Sequence, residues 1–100
     1  MDLGLTGKTA LVTAASKGLG KAAAMELARQ GAHVALCARS DRIETAAAEI
    51  RAATGATVHA LHADVARRED VDRMVGQAVE RLGHLDILIL MPAARPRGAS

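Results

Sequence analysis

Thr13 to Gly20 reads TAASKGLG, and glycines at that spacing do one kind of chemistry when they sit between a strand and a helix. The first turn of a helix leaves backbone N–H groups unpaired and carries a partial positive charge, so it can bind a diphosphate by backbone alone. Gly18 would let the backbone approach the phosphates closely, and Gly20 would let the helix pack tightly on the preceding strand. An ordinary strand-to-helix turn would also welcome these glycines. A loop for nucleoside triphosphates fits less well. Ala15 stands where its first glycine is required, and Ala22 follows Lys21 where Ser or Thr is needed.

The elements that must position this loop are legible from two alternating hydrophobic periods. Short apolar runs read as buried strands over Thr9–Thr13, His33–Ala38, Thr57–His62 and Leu85–Leu90. Three helical segments lie between them. The first covers about Gly20–Gln30 and ends at Gly31, a residue suited to the left-handed position after a helix. The second follows Ser40 or Asp41, either a candidate cap, and carries Ile43, Ala46, Ala47 and Ile50 on one face as far as Gly55. In the third, Val71, Met74, Val75, Ala78, Val79 and Leu82 recur at helical spacing and Gly83 closes it. Strand and helix alternate through short connections, which predicts parallel strands joined by right-handed crossovers. The expected fold class is α/β, a Rossmann-type doubly wound sheet of order β-α-β-α-β-α-β that stops after its fourth strand. Strands apolar on both faces agree with helices on both sides.

Composition bounds the rest. The 100 residues are 50% hydrophobic and contain no Phe, Trp or Tyr, enough for one small domain burying roughly 60 to 68% of its unfolded surface. Aromatics normally bring much of a core's area, so their absence suggests that part of the core is missing. A net charge of +2, with basic residues scattered among acids, gives neither a nucleic-acid patch nor a membrane-surface helix. The longest apolar stretch falls well short of the roughly 20 residues that span a bilayer. Met1 to Gly4 has no basic segment leading into an apolar one, and a cytoplasmic protein is expected. Cys37, the single cysteine, lies in an apolar run and reads as a small core side chain. His59 and His62 lack a third ligand at a suitable spacing, so no metal site is expected.

The stretch from Leu3 to Leu90, and above all LTGKTALVTAASKGLGKAAAMELARQGAHVALCAR, resembles the short-chain dehydrogenase/reductases. Their loop after the first strand is Thr-Gly-x-x-x-Gly-x-Gly, matched by Thr13, Gly18 and Gly20, with Ala14 in place of the first glycine. The resemblance implies that Thr13, Ser16, Lys17, Gly18, Leu19 and Gly20 line a nicotinamide dinucleotide. Asp64-Val65 is similar to the family's Asp-Val pair, whose aspartate binds the adenine amino group, although an Asp at a strand end is also an ordinary turn residue. Asp86 resembles the family's structural aspartate at the start of the fourth strand. The wording of the loop and first helix looks most like 3-oxoacyl thioester reductases of the acyl-carrier-protein type.

The end of the second strand bears on which dinucleotide is bound. A site for NAD(H) would carry Asp or Glu there for the ribose 2′-hydroxyl; this sequence has Arg39 and Ser40. A guanidinium suits a 2′-phosphate, with which it forms paired charge-assisted hydrogen bonds, and Lys17 would add a second charge. NADP(H) is expected over NAD(H), the alternative being that Arg39 and Lys17 are plain exposed turn residues.

Carbonyl reduction needs a hydride donor and a group that protonates the developing alkoxide. The resemblance implies a Ser-Tyr-Lys set for the second task, and this sequence has no tyrosine. No catalytic residue is assigned. The 100 residues alone are expected to be inactive, a small-molecule carbonyl substrate belonging to a full-length form. The family continues after its fourth strand with Asn-Asn-Ala-Gly or, in a subgroup, Asn-Ala-Gly-Gly-Pro-Pro-Pro-Gly; here Met91 to Gly98 reads MPAARPRG. Shifting the codons by one base permits the second motif, so a single-base insertion or deletion near codons 90 and 91 followed by an early stop is expected. A divergent loop or a cut fragment would read the same. The organisation expected is a partial dinucleotide-binding domain over 1–90 and an off-frame tail over 91–100. With no fifth strand to cover it, Leu85–Leu90 becomes an apolar edge prone to self-association. The alternatives are a nucleotide-binding module without enzymatic activity and a non-functional truncated product.

Overall fold

The computed structural model describes residues 4–13, 18–39, 41–63 and 67–90. Strands and helices alternate as β1 (Thr9–Thr13), α1 (Gly18–Arg29), β2 (His33–Ala38), α2 (Arg42–Thr54), β3 (Val58–His62), α3 (Arg68–Leu82) and β4 (Ile87–Ile89). The strands form one sheet of order β3-β2-β1-β4, parallel at every pairing. This is the doubly wound α/β arrangement expected from the alternating periods.

Both faces of the sheet are covered because alternate strand residues enter different cores. Val12, Val34, Leu36 and Val58 meet Ala24 and Ala28 of α1 and Ile43, Ala46, Ala47 and Ile50 of α2. Leu11, Ala35, Cys37 and Leu61 meet Met74 and Ala78 of α3 on the other side. A core without aromatics fills in this way because α1 and α2 present mostly alanine to the sheet, and larger side chains occupy the remaining space. Leu11, Leu36, Ile43, Ile50 and Met74 are fully buried, each contributing about 1.5–3 kcal/mol from the transfer of apolar surface.

Element ends differ from the sequence expectations in informative ways. Helix α1 starts at Gly18, two residues before the expected Gly20, so the glycines lie inside its first turn. Helix α3 starts at Arg68, ahead of its apolar stripe, because the polar RED segment opens it with Glu69 and Asp70 in the first turn, where acids favour the helix dipole. Val79, counted with the apolar face, is 39% exposed. Asp41 is the N-cap of α2, but its side chain makes no cap hydrogen bond. Strand β3 starts at Val58 where Thr57 was expected.

Strand β4 pairs only over Ile87–Ile89, against Ala10–Val12 of β1, where six residues were expected. Its entry is fixed by a polar clamp. The Thr9 N–H donates to Asp86 Oδ2 at 2.9 Å, the Asp86 N–H donates to the Thr9 carbonyl at 3.0 Å, and the Thr9 hydroxyl donates to the His84 carbonyl at 2.6 Å. His84 Nε2 lies 2.9 Å from the same Asp86 oxygen. Asp86 therefore holds the first residue of the central strand, as its resemblance to a structural aspartate implied.

The hydrogen bond from the Thr9 backbone is the largest influence lowering the Asp86 pKa, and His84 and Lys8 add to it. A carboxyl lowered by folding stabilises the native state above its unfolded pKa of about 3.9, and that contribution disappears as pH falls through the lower folded value. Asp86→Asn is thus expected to lower the urea midpoint at pH 7 and to bring it closer to the wild-type midpoint as pH falls through the acid range. An equal deficit at pH 7 and at pH 2.5 would contradict the clamp.

Candidate functional site

All four strands run the same way, so Thr13, Ala38, His62 and the end of β4 lie at one edge of the sheet. The chain winds outward from β1 to β2 and β3, then crosses to place β4 on the opposite side of β1. The crevice outside the carboxyl ends of strands, where such an order reverses, is where open α/β sheets bind ligands.

Helix α1 points its N-terminus at that edge. Gly18 adopts φ 65°, in the left-handed region that disfavours any residue with a Cβ. A Cβ placed there would meet nothing within 4 Å, so the side of Gly18 where a side chain would stand is open. Leu19 beside it is 80% exposed, while Gly20 is buried. No acidic residue stands in the first turn of α1, so nothing within that turn repels an anion. These are the properties of a cradle that accepts phosphate through backbone N–H groups. Beneath it, Thr13 is fully buried and its hydroxyl lies 3.4 Å from the Ile89 carbonyl, linking β1 to β4 at the carboxyl edge.

Arg39 is exposed immediately after β2, at the same edge. Ser16, Lys17, Ser40, Asp64 and Val65 lie outside the described residues. Lys21, next along α1, pairs with Glu49 of α2.

Several groups near the edge do other work. Burial, the larger cause, and the Asp70 carboxylate push the Cys37 thiol up to about 11, so it stays protonated and unreactive at neutral pH. Burial first, then Arg81, Arg51 and His33, lower the His59 pKa. Among the described residues no group of three His, Cys, Asp or Glu side chains is placed to hold a metal ion, and no helix is long and apolar enough to cross a membrane.

Two arrangements escaped the sequence. Thr9 supplies both backbone and hydroxyl to the Asp86 clamp; the available signal was a polar residue opening each of two neighbouring strands. His62, the last residue of β3, lies 3.8 Å from Asp41 Oδ1 and 3.7 Å from Glu44 Oε1. Only the fold brings those three together.

A profile of the short chain dehydrogenase family matches residues 8–96. The chain is 46% identical over 86 residues to glycine betaine reductase ATRR of Emericella nidulans, covering 85% of this chain and 7% of that protein. It is 44% identical over 89 residues to L-rhamnose 1-dehydrogenase (NAD(P)(+)) of Azotobacter vinelandii, covering 85% of this chain and 35% of that one. Among solved structures, L-sorbose reductase of Gluconobacter frateurii, crystallised with NADPH and L-sorbose, superposes with a TM-score of 0.89 at 38% identity, over 94% of this chain and 36% of its own. The chain thus spans about a third or less of these relatives.

Proposed function

The chain belongs to the short-chain dehydrogenase family, and from that premise we propose that residues 1–90 are the NADP(H)-binding part of an oxidoreductase that reduces a carbonyl by hydride transfer. The observation that carries this proposal is the open, left-handed Gly18 at the start of α1, at the carboxyl edge of the central strand. The backbone N–H groups of the first turn would hold the diphosphate, with Gly18, Leu19 and Gly20 supplying that turn and Thr13 closing the strand before it. Arg39 takes the 2′-phosphate, helped by Lys17 and Ser40; Ser16 adds a loop contact, and Asp64 and Val65 hold the adenine. A bound nicotinamide would supply the hydride. The proton donor that completes the reduction is not among these residues, so a polypeptide of these 100 residues binds the dinucleotide without turning over a substrate.

The relatives support a nicotinamide dinucleotide at this position: one was crystallised with NADPH and another is named for NAD(P)(+). Their names point to sugar and betaine chemistry; a 3-oxoacyl thioester substrate rests on the wording of the loop and first helix alone. The off-frame origin of residues 91–100 is proposed on codon grounds. It requires a family-like frame to resume in the downstream gene sequence.

Arg39→Ala tests the choice of cofactor. Losing hydrogen bonds to a charged group of this kind weakens binding by about tenfold or more, and the loss is expected for NADPH with NADH unchanged in calorimetric titrations. Equal effects on the two dinucleotides would remove Arg39 from the 2′-phosphate.

Self-association of the 100-residue polypeptide follows from its two unequal sheet edges. On β3, the Val58 carbonyl accepts a hydrogen bond from Arg51 Nε at 2.9 Å, which blunts that edge. On β4, Leu88 is 46% exposed and Leu90 beyond it 62%. Sedimentation is expected to show concentration-dependent oligomers that Leu88→Lys reduces; a wild-type polypeptide that stays monomeric would contradict this.

A further inference from the structure

His62 closes β3 beside the end of β2, since it pairs in register with Ala38, the residue before Arg39. Its two ring nitrogens face two carboxylates, Asp41 at 3.8 Å and Glu44 at 3.7 Å. Asp41 holds the N-cap position of α2 without using its side chain as a cap, so its carboxylate is free of the usual local role and is directed to a residue on another strand. Lys21 of α1 pairs with Glu49, further along α2.

These contacts matter because of where they lie. Two carboxylates within five residues of Arg39 repel any phosphate that Arg39 would bind, and like charges in such proximity disfavour one another. His62, 3.8 Å from Asp41 and 3.7 Å from Glu44, holds both acids toward β3. We propose that His62 is a positioning residue for dinucleotide preference, holding Asp41 and Glu44 toward β3 so that Arg39 accepts a 2′-phosphate over a 2′-hydroxyl. The inference rests on the assignment of Arg39 to the 2′-phosphate. Of the ionisable side chains of α2 and its cap, which are Asp41, Arg42, Glu44, Glu49 and Arg51, Asp41 and Glu44 meet the imidazole.

The test compares NADPH and NADH affinities of the wild-type chain, His62→Ala and His62→Lys at one pH. Exposed contacts of this kind are weak, so His62→Ala is expected to lower the NADPH preference by about two- to fivefold. His62→Lys keeps a group that pairs with both acids and is expected to keep the preference. Identical preferences for wild type and His62→Ala would overturn the role of His62 while Arg39→Ala still discriminates the two dinucleotides. If Arg39→Ala affects both dinucleotides equally, or if neither binds, the assignment of Arg39 fails and the role of His62 fails with it.

Discussion

Alanine in place of Gly31 is expected to destabilise the fold by about 3 kcal/mol, combining about 1–2 for a left-handed residue with a Cβ and about 1–3 for overpacking. Gly31 has φ 94°, and an added Cβ would lie 2.9 Å from Thr6 Oγ1 and 3.1 Å from Thr6 Cα. Rotating the Thr6 side chain relieves the first contact but not the second, so the backbone must move. That backbone is held in place: the Gly7 N–H donates to the Gly31 carbonyl at 3.3 Å, and the His33 N–H donates to the Lys8 carbonyl at 2.8 Å. A chain of this size has only about 5–15 kcal/mol of stability in all, so the loss would be readily measured. Gly55→Ala is the control, because Gly55 is also left-handed at φ 71° but has nothing within 4 Å of an added Cβ; about 1–2 kcal/mol is expected there. Urea midpoints are to be compared at one protein concentration, since association makes them concentration-dependent. Equal losses for the two variants would mean that Thr6 does not crowd Gly31.

Gly18→Ala is expected to have the reverse profile, a modest loss of stability with a large loss of cofactor binding. Nothing crowds a Cβ at Gly18, so the fold bears only the left-handed strain of about 1–2 kcal/mol. Binding suffers more, because the methyl enters the space through which the diphosphate reaches the helix N-terminus. Losing one or more charge-assisted hydrogen bonds weakens affinity by about 10- to 100-fold. NADPH and NADH are expected to lose affinity alike, since they share the diphosphate, and this separates Gly18 from Arg39. Calorimetric titration checks both. Unchanged affinity in a folded Gly18→Ala chain would exclude this loop as the phosphate cradle.

The fold was legible where neighbours in sequence decide structure. Thr9–Thr13 and His33–Ala38 form strands with the bounds that their apolar runs suggested, and the buried face of α2 is the predicted set Ile43, Ala46, Ala47 and Ile50. The parallel order followed from strand and helix alternating, because a short crossover permits few alternatives. Where distant residues decide, the sequence was less informative. The length of β4 depends on how far β1 can pair with it and on the Asp86 clamp at its entry, neither of which is visible in LDILIL. Asp41 had the residue type of a cap, but its side chain makes no cap hydrogen bond and lies 3.8 Å from His62 on the next strand. Gly18, Gly20 and Arg39 stood out as candidate site residues because glycine at a strand-to-helix junction and arginine after the second strand carry local chemical meaning. The electrostatic surroundings of Arg39 emerged only once β3 lay beside β2.

We propose that one cradle at α1 holds a diphosphate while Arg39 holds a 2′-phosphate. Phosphorus NMR of NADPH titrated with the wild-type chain tests both halves in one experiment, because the diphosphate and the 2′-phosphate give separate resonances. Both are expected to shift and broaden together on binding, Gly18→Ala weakening both responses and Arg39→Ala chiefly that of the 2′-phosphate. A spectrum in which the diphosphate resonances stay unmoved at saturating protein would contradict the claim.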